Sequence, residues 1–230
     1  MTDTLSVDAS SSQTDCLSIT IEIMATNEER SANTRARLIA TAGALFARHG
    51  YAATPTEAIL DGAGVRRGAL YHHFADKAAL FEAVCRHLAV LAVPAIEAAT
   101  AAARGPLDAL VRGSIAWIGF VTHDDARRIL LLDAPTVLGW ERWQALDDRL
   151  AGEALRQAIE QALAAGELHF DGSAELLTTL ANGALNALAL RVGHARPPLP
   201  PREWQRAVRA FWRGFARDPP VTAARTRSAR

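Results

Sequence analysis

The spacing of apolar residues is the strongest constraint on the fold of this 230-residue chain. From Ala32 onward, apolar side chains recur every three to four residues, as in Leu38, Ala42, Leu45 and Phe46. This helical pattern is never replaced by the two-residue alternation of a β-strand. Half of the residues are hydrophobic, which is enough to build a buried core. We therefore predict an all-α globular protein.

The formal charges of the chain sum to zero, but they are unevenly distributed. Residues 1–29 carry six acidic side chains and no basic one, whereas residues 30–77 have a net charge of +4. Residues 78–200 then carry −4, and residues 201–230 carry +6. Because binding depends on local surface charge, the neutral total does not exclude a nucleic-acid partner.

Local signals near residue 50 predict the end of one helix and the start of another. Gly50 follows the first helical pattern, at the position where glycine commonly ends a helix. Thr54 precedes Pro55 and is followed three residues later by Glu57. This arrangement predicts a capped helix with Thr54 as its N-cap residue.

A turn at Gly64 leads into a second short helix, which we predict over residues 66–72. Two short helices joined by a glycine turn are typical of a helix-turn-helix, whose second helix enters the major groove of DNA. Arginine can pair with guanine there, and small residues allow a close approach. We therefore expect Arg67, Gly68 and Ala69 to face the bases.

Hydroxyl and basic side chains beside the motif are candidates for contacts with the DNA phosphates. Thr54, Tyr71 and Lys77 have suitable chemistry, since phosphate contacts position a protein without reading sequence. Asp76 is predicted to cap the next helix, whose N-terminus also attracts phosphate.

These residues resemble the N-terminal DNA-binding domain of TetR-family transcriptional regulators. The resemblance rests on the run from Thr34-Arg35 to Phe46, Gly50-Tyr51-Ala52-Ala53-Thr54, Ala63-Gly64-Val65, Arg67-Gly68-Ala69-Leu70-Tyr71-His72-His73-Phe74 and Asp76-Lys77. It implies an all-α homodimer with a three-helix N-terminal DNA-binding domain and a larger C-terminal domain for ligand binding and dimerisation. The expected DNA contacts are Arg35, Thr54, Thr56, Arg66, Arg67, Gly68, Ala69, Tyr71, His72 and Lys77.

The chain departs from the family pattern at Pro55, Ala58, Leu60 and Arg66. Pro55 removes one hydroxyl that the family usually offers to phosphate. Arg66 replaces the hydroxyl residue that usually caps the recognition helix. We therefore expect this helix to start less firmly or to shift by one residue.

The expected domain organisation follows from these signals. We predict a disordered arm over residues 1–29, a helix-turn-helix domain over 30–77, a helical ligand-binding and dimerisation domain over 78–217, and a flexible basic tail over 218–230. Met24 is an alternative start site. The helices predicted for the C-terminal part span residues 107–122, 124–133, 135 or 136–165, 173–193 and 202–217.

Several kinds of site are not expected. Cys16 and Cys85 are far apart and lack the spacing of a zinc site, so we predict no disulfide, metal or cofactor. The apolar run over residues 88–96 is too short for a membrane span and contains Pro94. We therefore expect a cytoplasmic protein without a membrane partner.

Aromatic residues concentrated in the middle of the chain are candidates for a ligand cavity. Aromatic walls with a few polar groups suit small apolar ligands. The candidates are Trp117, Phe120, Trp140 and Trp143, with Asp133, Arg142 and Asn182 as polar contacts. The alternative for each of these residues is that it belongs to the core or the surface and does not contact a ligand.

The last two predicted helices are candidates for a dimer interface. Trp204, Val208, Phe211 and Phe215 form an apolar stripe at helical spacing. Small or apolar residues on the preceding helix would allow close packing: Leu180, Gly183, Ala184 and Ala187. The two helices would form a four-helix interface with their copies. The alternative is that the stripe belongs to the core of one subunit.

These observations favour a transcriptional repressor that binds a palindromic operator as a homodimer and is released by a small-molecule effector. One alternative is a small helical enzyme or ligand carrier. We do not expect an enzyme, because the chain lacks HExxH, nucleophile-elbow and P-loop motifs. The acidic pairs Asp124-Asp125 and Asp147-Asp148 are predicted to lie at helix starts or on the surface. A second alternative is a DNA-binding protein whose own tryptophans fill the cavity.

Overall fold

A computed structural model describes the backbone of residues 11–217 and the side chains of residues 27–123, 125–149 and 151–217. Between residues 11 and 217 the chain is helical without a β-strand, which confirms the all-α prediction. The helices are α1 Ser11–His49, α2 Thr56–Ala63, α3 Arg67–His73, α4 Lys77–Thr100, α5 Pro106–Val121, α6 Asp124–Ala126, α7 Ala134–Leu138, α8 Trp140–Asp147, α9 Glu153–Ala164, α10 Ala174–His194 and α11 Pro201–Arg213. π-Helical segments Arg127–Asp133 and Asp148–Gly152 join α6 to α7 and α8 to α9. The predicted tail over 218–230 lies outside the described residues.

Three of the helix boundaries predicted in the N-terminal part, at Gly50, Gly64 and Asp76, are confirmed by backbone geometry. Gly50 follows α1 with a φ of 84°, and Gly64 ends α2 with a φ of 61°. Both values lie in the left-handed region that glycine adopts without a steric penalty. Asp76 caps α4, since its Oδ1 accepts the backbone N–H of Ala79 at 2.7 Å.

The prediction of a disordered arm is wrong for residues 11–29, because α1 begins at Ser11 rather than near Ala32. No glycine or proline interrupts residues 11–42, so nothing in the local sequence ends the helix earlier. Residues 27–30 are exposed. The beginning of the arm, residues 1–10, lies outside the described part of the chain.

The single helix predicted from residue 135 or 136 to 165 is also wrong. Gly139 has a φ of 74° and separates α7 from α8. Further on, the π-helical segment Asp148–Gly152 separates α8 from α9. Periodicity alone missed both interruptions, because neither one removes the apolar residues from the helix face. The helices predicted over 107–122 and 173–193 are confirmed as α5 and α10, and the helix predicted over 202–217 is present as α11 but ends at Arg213.

Two hydrophobic cores hold the helices together. The N-terminal core combines α1–α3 and the first half of α4 with residues of α7 and α8, and it includes Phe46, Phe81 and Leu146. The C-terminal core combines α5, α9, α10 and α11. Leu130, in the first π-helical segment, packs against both. Because Ile129 also belongs to the N-terminal core, helices α1–α4 are packed directly onto the segment that follows α6.

Helix α4 is the one helix within the described residues that is long and apolar enough to cross a membrane. Length and composition are weak evidence for a span, because a core helix of a soluble protein passes the same test. Leu80, Phe81, Val84 and Cys85 of α4 are buried in the N-terminal core. The first half of this helix therefore has a partner inside the protein.

Candidate nucleic-acid interface and effector cavity

Helix α3 is held on the protein by one face and presents the other face to solvent. Leu70 is 1% exposed and Phe74, which follows the helix, is 5% exposed. The opposite face carries the exposed residues Arg67, Gly68, Tyr71 and His72, with Arg66 just before the helix. These are the chemical groups expected on a recognition helix, and the fold places them together on one surface.

Arg67 is weakly held in the free protein. Its Nη1 lies 3.8 Å from Glu57 Oε1, and its guanidinium carbon lies 5.9 Å from the centre of the Tyr71 ring. Its pKa is raised, first by a hydrogen bond with Tyr71 and then by the nearby Glu57 carboxylate. Since exposed ion pairs contribute little energy, Arg67 can exchange these contacts for DNA at small cost.

The start of α3 shows the expected effect of Arg66. The helix begins at Arg67, one residue later than predicted, and Arg66 occupies the N-cap position without a side-chain cap. Gly68 then leaves open space, since a Cβ atom built there meets no atom of the described residues within 4 Å. The backbone of the first turn is therefore accessible to a large partner.

The structure contradicts the prediction for Thr54. Its side chain is 1% exposed, and its hydroxyl donates to the carbonyl of Gly50 at 2.8 Å. The N-cap of α2 is Pro55, and no side chain caps this helix. Thr54 therefore closes the turn after α1 and cannot offer its hydroxyl to phosphate. Thr56, the first residue of α2, is half-buried and remains a candidate contact.

The ammonium group of Lys77 also points into the protein. Its Nζ donates to the carbonyl oxygen of Tyr51 at 2.7 Å and lies 4.2 Å from the centre of the Tyr51 ring. Partial burial lowers the pKa of Lys77. The predicted phosphate contact is thus replaced in the structure by a bond that ties the start of α4 to the turn after α1.

Two further predicted contacts lie at the edge of this surface. Arg35 is exposed, with its guanidinium carbon 5.3 Å from the centre of the Phe74 ring. His72 is exposed, whereas the adjacent His73 is half-buried and its pKa is lowered by that burial. Ala69 is half-buried within α3.

A small cavity lies between the two cores. Its volume is about 30 Å³, close to the space of one water molecule. Trp117 and Trp143 form part of its wall, as the sequence predicted for both, and Phe120 stacks against Trp117 with a centroid distance of 6.4 Å. The full lining is Trp117, Val121, Leu130, Leu131, Ala134, Trp143, Leu146, Asp147 and Asn186.

Sequence reasoning missed the most polar group of this cavity. Asp147 was expected at a surface, but its carboxylate lines the cavity. Its Oδ2 accepts the side-chain amide N–H groups of Asn182 at 2.7 Å and Asn186 at 2.8 Å. Burial raises the pKa of Asp147, although the two amide bonds oppose that change. A weak signal was present, since Asn182 and Asn186 are four residues apart and face the same side of α10.

Three of the residues proposed for the cavity lie elsewhere. Trp140 is 67% exposed and contacts Trp143 from outside. Asp133 points toward the DNA-binding domain, where its Oδ2 accepts the backbone N–H of Tyr51 at 2.9 Å. Arg142, considered as a polar contact, pairs instead with Glu82 at 2.9 Å. Trp140 and Arg142 follow the break at Gly139, which the sequence pattern did not reveal.

A larger cleft of about 370 Å³ lies where the start of α5 meets α11. It contains none of the predicted aromatic residues. Its charged lining includes Arg104, Asp108, Glu167 and Arg213. Glu167 is already engaged, because its Oε2 accepts the backbone N–H of Leu107 at 2.7 Å.

The predicted dimer stripe on α11 is divided by the fold. Trp204 and Val208 are buried in the C-terminal core, so the prediction that they form an interface is wrong. Phe211 and Phe215 are half-buried around Trp212, which is fully buried. The alternative of an intramolecular core therefore holds for Trp204 and Val208, and an interface role of Phe211 and Phe215 stays a prediction.

The other half of the predicted interface is exposed. Leu176 and Leu180 on α10 are 59% and 57% exposed. Ala184 and Ala187 are exposed on the same helix, as is Gly183. Their spacing places them on one side of α10, which forms an apolar surface that no other described residue covers.

Family models match most of the chain. The model described as "Bacterial regulatory proteins, tetR family" matches residues 38–84, and the one described as "Tetracyclin repressor-like, C-terminal domain" matches residues 107–215. The HTH-type transcriptional repressor KstR2 of Mycobacterium tuberculosis (strain ATCC 25618 / H37Rv) is 28% identical over 144 residues, which cover 60% of this chain and 72% of that protein. The probable acrEF/envCD operon repressor of Escherichia coli (strain K12) is 52% identical over 48 residues, which cover 21% of this chain and 22% of that protein.

Solved structures show the same fold. A TetR-family transcriptional regulator from Pectobacterium atrosepticum is 26% identical with a TM-score of 0.69, and the match covers 83% of this chain and 98% of that one. The structure of RolR in complex with resorcinol is 19% identical with a TM-score of 0.66, and the match covers 82% of this chain and 90% of that one.

Proposed function

Because this chain belongs to the TetR family of bacterial transcriptional regulators, we propose that it represses transcription from a palindromic operator and is released by a small-molecule effector. It is a DNA-binding repressor, and its place of action is the cytoplasm, where bacterial DNA lies. The observation that supports the mode of binding is the exposed face of α3, with Arg67, Gly68 and Tyr71 opposite the buried Leu70. We assign no enzymatic activity to it.

The exposed face of α3 fits the major groove of DNA. Its first turn offers Arg67 beside Gly68 and Ala69, so an arginine can reach base edges while the backbone approaches closely. Thr56, Tyr71 and Arg35 surround this turn and are the remaining candidates for phosphate contacts. We keep Arg66 and His72 as flanking contacts, and we assign Thr54 and Lys77 to positioning the turn after α1.

A homodimer would carry two such helices. The exposed apolar side of α10, with Leu180, Ala184 and Ala187, is the surface we assign to the interface. In a two-fold dimer the same surface meets its own copy, which places the two α3 helices symmetrically. Two recognition helices about one helical turn of DNA apart match a palindromic site.

The first π-helical segment connects the cavity to the DNA-binding domain. Leu130 and Leu131 form part of the cavity wall. From the same segment, Arg128 Nη2 donates to the carbonyl of His49 at 3.2 Å, and Asp133 accepts the N–H of Tyr51 at 2.9 Å. A ligand that displaces the two leucines would therefore move the turn between α1 and α2. The effector acts by favouring the displaced arrangement, in which the α3 helices no longer match the operator.

The direct test of this function is the selection of genomic fragments by the purified protein at moderate salt. We expect a small set of fragments with inverted repeats, whose binding weakens steeply as salt increases. Fragments bound without sequence preference would instead favour the alternative of a helical enzyme or ligand carrier.

Replacement of Arg67 with alanine is expected to weaken binding to the selected operator by roughly 10-fold to 100-fold and to relax sequence preference at one position of each half-site. The reason is the loss of a base contact, which changes specificity. Loss of a phosphate contact would instead weaken binding to all sequences equally. A gel-shift assay with operators substituted at each position measures both effects. Arg202→Ala, at an exposed position on α11, is the control for loss of positive charge. Unchanged affinity and selectivity in Arg67→Ala would remove the assignment of base readout.

Replacement of Asp133 with alanine is expected to loosen the turn between α1 and α2. It leaves the half-buried N–H of Tyr51 without its carboxylate acceptor, and a hydrogen bond to a charged group contributes about 1.5–3 kcal/mol. Hydrogen exchange of the Tyr51 amide should therefore become at least roughly 10-fold faster, with a smaller change in the rest of α1. Asp125→Ala, which removes an exposed acid beside the same segment, should leave the exchange unchanged. Equal exchange in the two variants would show that the segment does not hold this turn.

A further inference from the structure

The carboxylate of Asp147 is the single acidic group in the lining of the cavity between the two cores. Both hydrogen bonds to it, from Asn182 and Asn186, reach the same oxygen, Oδ2. Among the described side chains, none donates to Oδ1 and no lysine, arginine or histidine forms an ion pair with Asp147. The cavity therefore contains a carboxylate that two neutral amides orient but no cation neutralises.

A buried carboxylate without a cation is unfavourable, because the charge loses its hydration. Burial accordingly raises the pKa of Asp147, and the neighbouring Asp148 carboxylate adds to this effect. The amide groups of Asn182 and Asn186 recover part of the lost hydration and hold the carboxylate in one orientation. A ligand with a positive charge would supply the rest, since it can pair with the carboxylate inside the protein.

The rest of the lining suits the organic part of such a ligand. The rings of Trp117 and Trp143 form part of the wall, and aromatic faces attract cations as well as apolar groups. Leu130, Leu131 and Leu146 complete an apolar surface around them. The carboxylate can therefore hold the charged end of an aliphatic or aromatic amine, and the aromatic and aliphatic side chains can hold its apolar body.

We propose that the effector of this repressor is a small organic cation, whose protonated nitrogen pairs with Asp147 while its apolar part lies between Trp117 and Trp143. This inference rests on the proposed function and specifies the chemical class of its effector. Any such ligand is larger than the present volume of about 30 Å³, so its entry displaces the wall. Leu130 and Leu131 are the part of that wall that leads to the DNA-binding domain.

The test uses three primary amines, methylamine, benzylamine and 2-phenylethylamine, each paired with the alcohol of the same carbon skeleton. Binding is measured by calorimetry at neutral pH for the parent, Asp147→Asn and Asp148→Asn. Asp147→Asn removes the charge and keeps the shape, and Asp148→Asn removes the adjacent exposed charge as the matched control. We expect at least one aromatic amine to bind the parent about 10-fold or more tightly than its alcohol. Asp147→Asn should lose this preference, and Asp148→Asn should keep it within about twofold.

Three results would overturn the proposal: no amine binds the parent, an alcohol binds as tightly as its amine, or Asp147→Asn binds amines like the parent. The first would favour a repressor whose own tryptophans occupy the cavity, and the second a neutral effector. If Asp147→Asn fails to fold, the comparison of amine with alcohol in the parent decides whether the proposal holds.

Operator binding without probe is measured in parallel. If the parent does not bind the operator, the proposed function is contradicted. If the parent binds the operator but shows no preference for amines, this inference alone is contradicted.

Discussion

Replacement of Gly68 with leucine is expected to abolish specific operator binding while the protein stays folded. A Cβ atom at this position meets nothing within 4 Å in the free protein, and the position is exposed in the first turn of α3. In the groove, however, the leucine side chain would occupy the space between the backbone and the base edges. Binding should fall to the non-specific level, a loss of roughly 10³-fold or more. Fluorescence anisotropy with the selected operator and a scrambled duplex measures this difference.

The folded state should tolerate the same substitution or gain from it. Glycine is unfavourable inside a helix by about 1 kcal/mol relative to alanine, so Gly68→Leu is expected to unfold at the same temperature as the parent or slightly higher. Ala154→Leu, at an exposed position on α9, is the control for an added leucine far from α3. Specific binding by Gly68→Leu at parental affinity would show that the first turn of α3 does not approach the bases.

Replacement of Trp212 with alanine is expected to lower the free energy of unfolding by about 3–5 kcal/mol, because a large cavity replaces a fully buried ring. The indole Nε1–H also donates to Ser114 Oγ at 3.1 Å, and that bond is lost. For a chain of this size, the melting temperature should fall by roughly 6–20 °C. Trp212→Phe keeps most of the volume and loses the hydrogen bond, so it should cost less. Thermal and urea unfolding followed by circular dichroism compare the three proteins.

A matched substitution on α10 distinguishes the core from the interface. Leu180 is exposed in one subunit, so Leu180→Glu should leave the fold of the subunit intact and weaken the dimer. Sedimentation at decreasing protein concentration should show monomers for Leu180→Glu where the parent remains dimeric. If Trp212→Ala dissociated the dimer without loss of subunit stability, α11 rather than α10 would be the interface.

The helix-turn-helix was predictable because its signals are local. The turns at Gly50 and Gly64 need left-handed backbone geometry, and Asp76 caps the helix that begins immediately after it. Each of these features involves residues fewer than five positions apart. The exposed residues of α3 could also be predicted, because the buried positions Leu70 and Phe74 fix which face of a short helix points outward.

The role of Thr54 could not be predicted from the same local signals. A threonine before proline fits an N-cap, but the hydroxyl can equally donate backward to the end of the preceding helix. In the structure it donates to Gly50, because the turn brings that carbonyl within 2.8 Å. The predicted phosphate contact of Lys77 failed for a similar reason. The carbonyl that its ammonium group binds belongs to Tyr51, 26 residues earlier in the chain.

The cavity depended even more on contacts between distant residues. Asp147 meets Asn182 and Asn186 across 35 and 39 residues of chain, and no sequence spacing indicates which acidic residue a helix will cover. Trp140 and Trp143 look alike in the sequence. The turn at Gly139 nevertheless sets α8 so that Trp143 lines the cavity and Trp140 is exposed.

The sequence by itself determined the helical fold class, the helix-turn-helix and the exposed residues of its second helix, because hydrogen bonds, caps and apolar spacing within a helix involve near neighbours. Only the tertiary structure decided that Trp204 and Val208 of the α11 stripe pack inside the subunit, that α10 keeps an exposed apolar side, and that Asp147 lines the cavity. Burial of a side chain depends on which other helix covers it. That choice is made by the packing of the whole chain, so an apolar stripe looks the same in the sequence whether it faces a core or a partner.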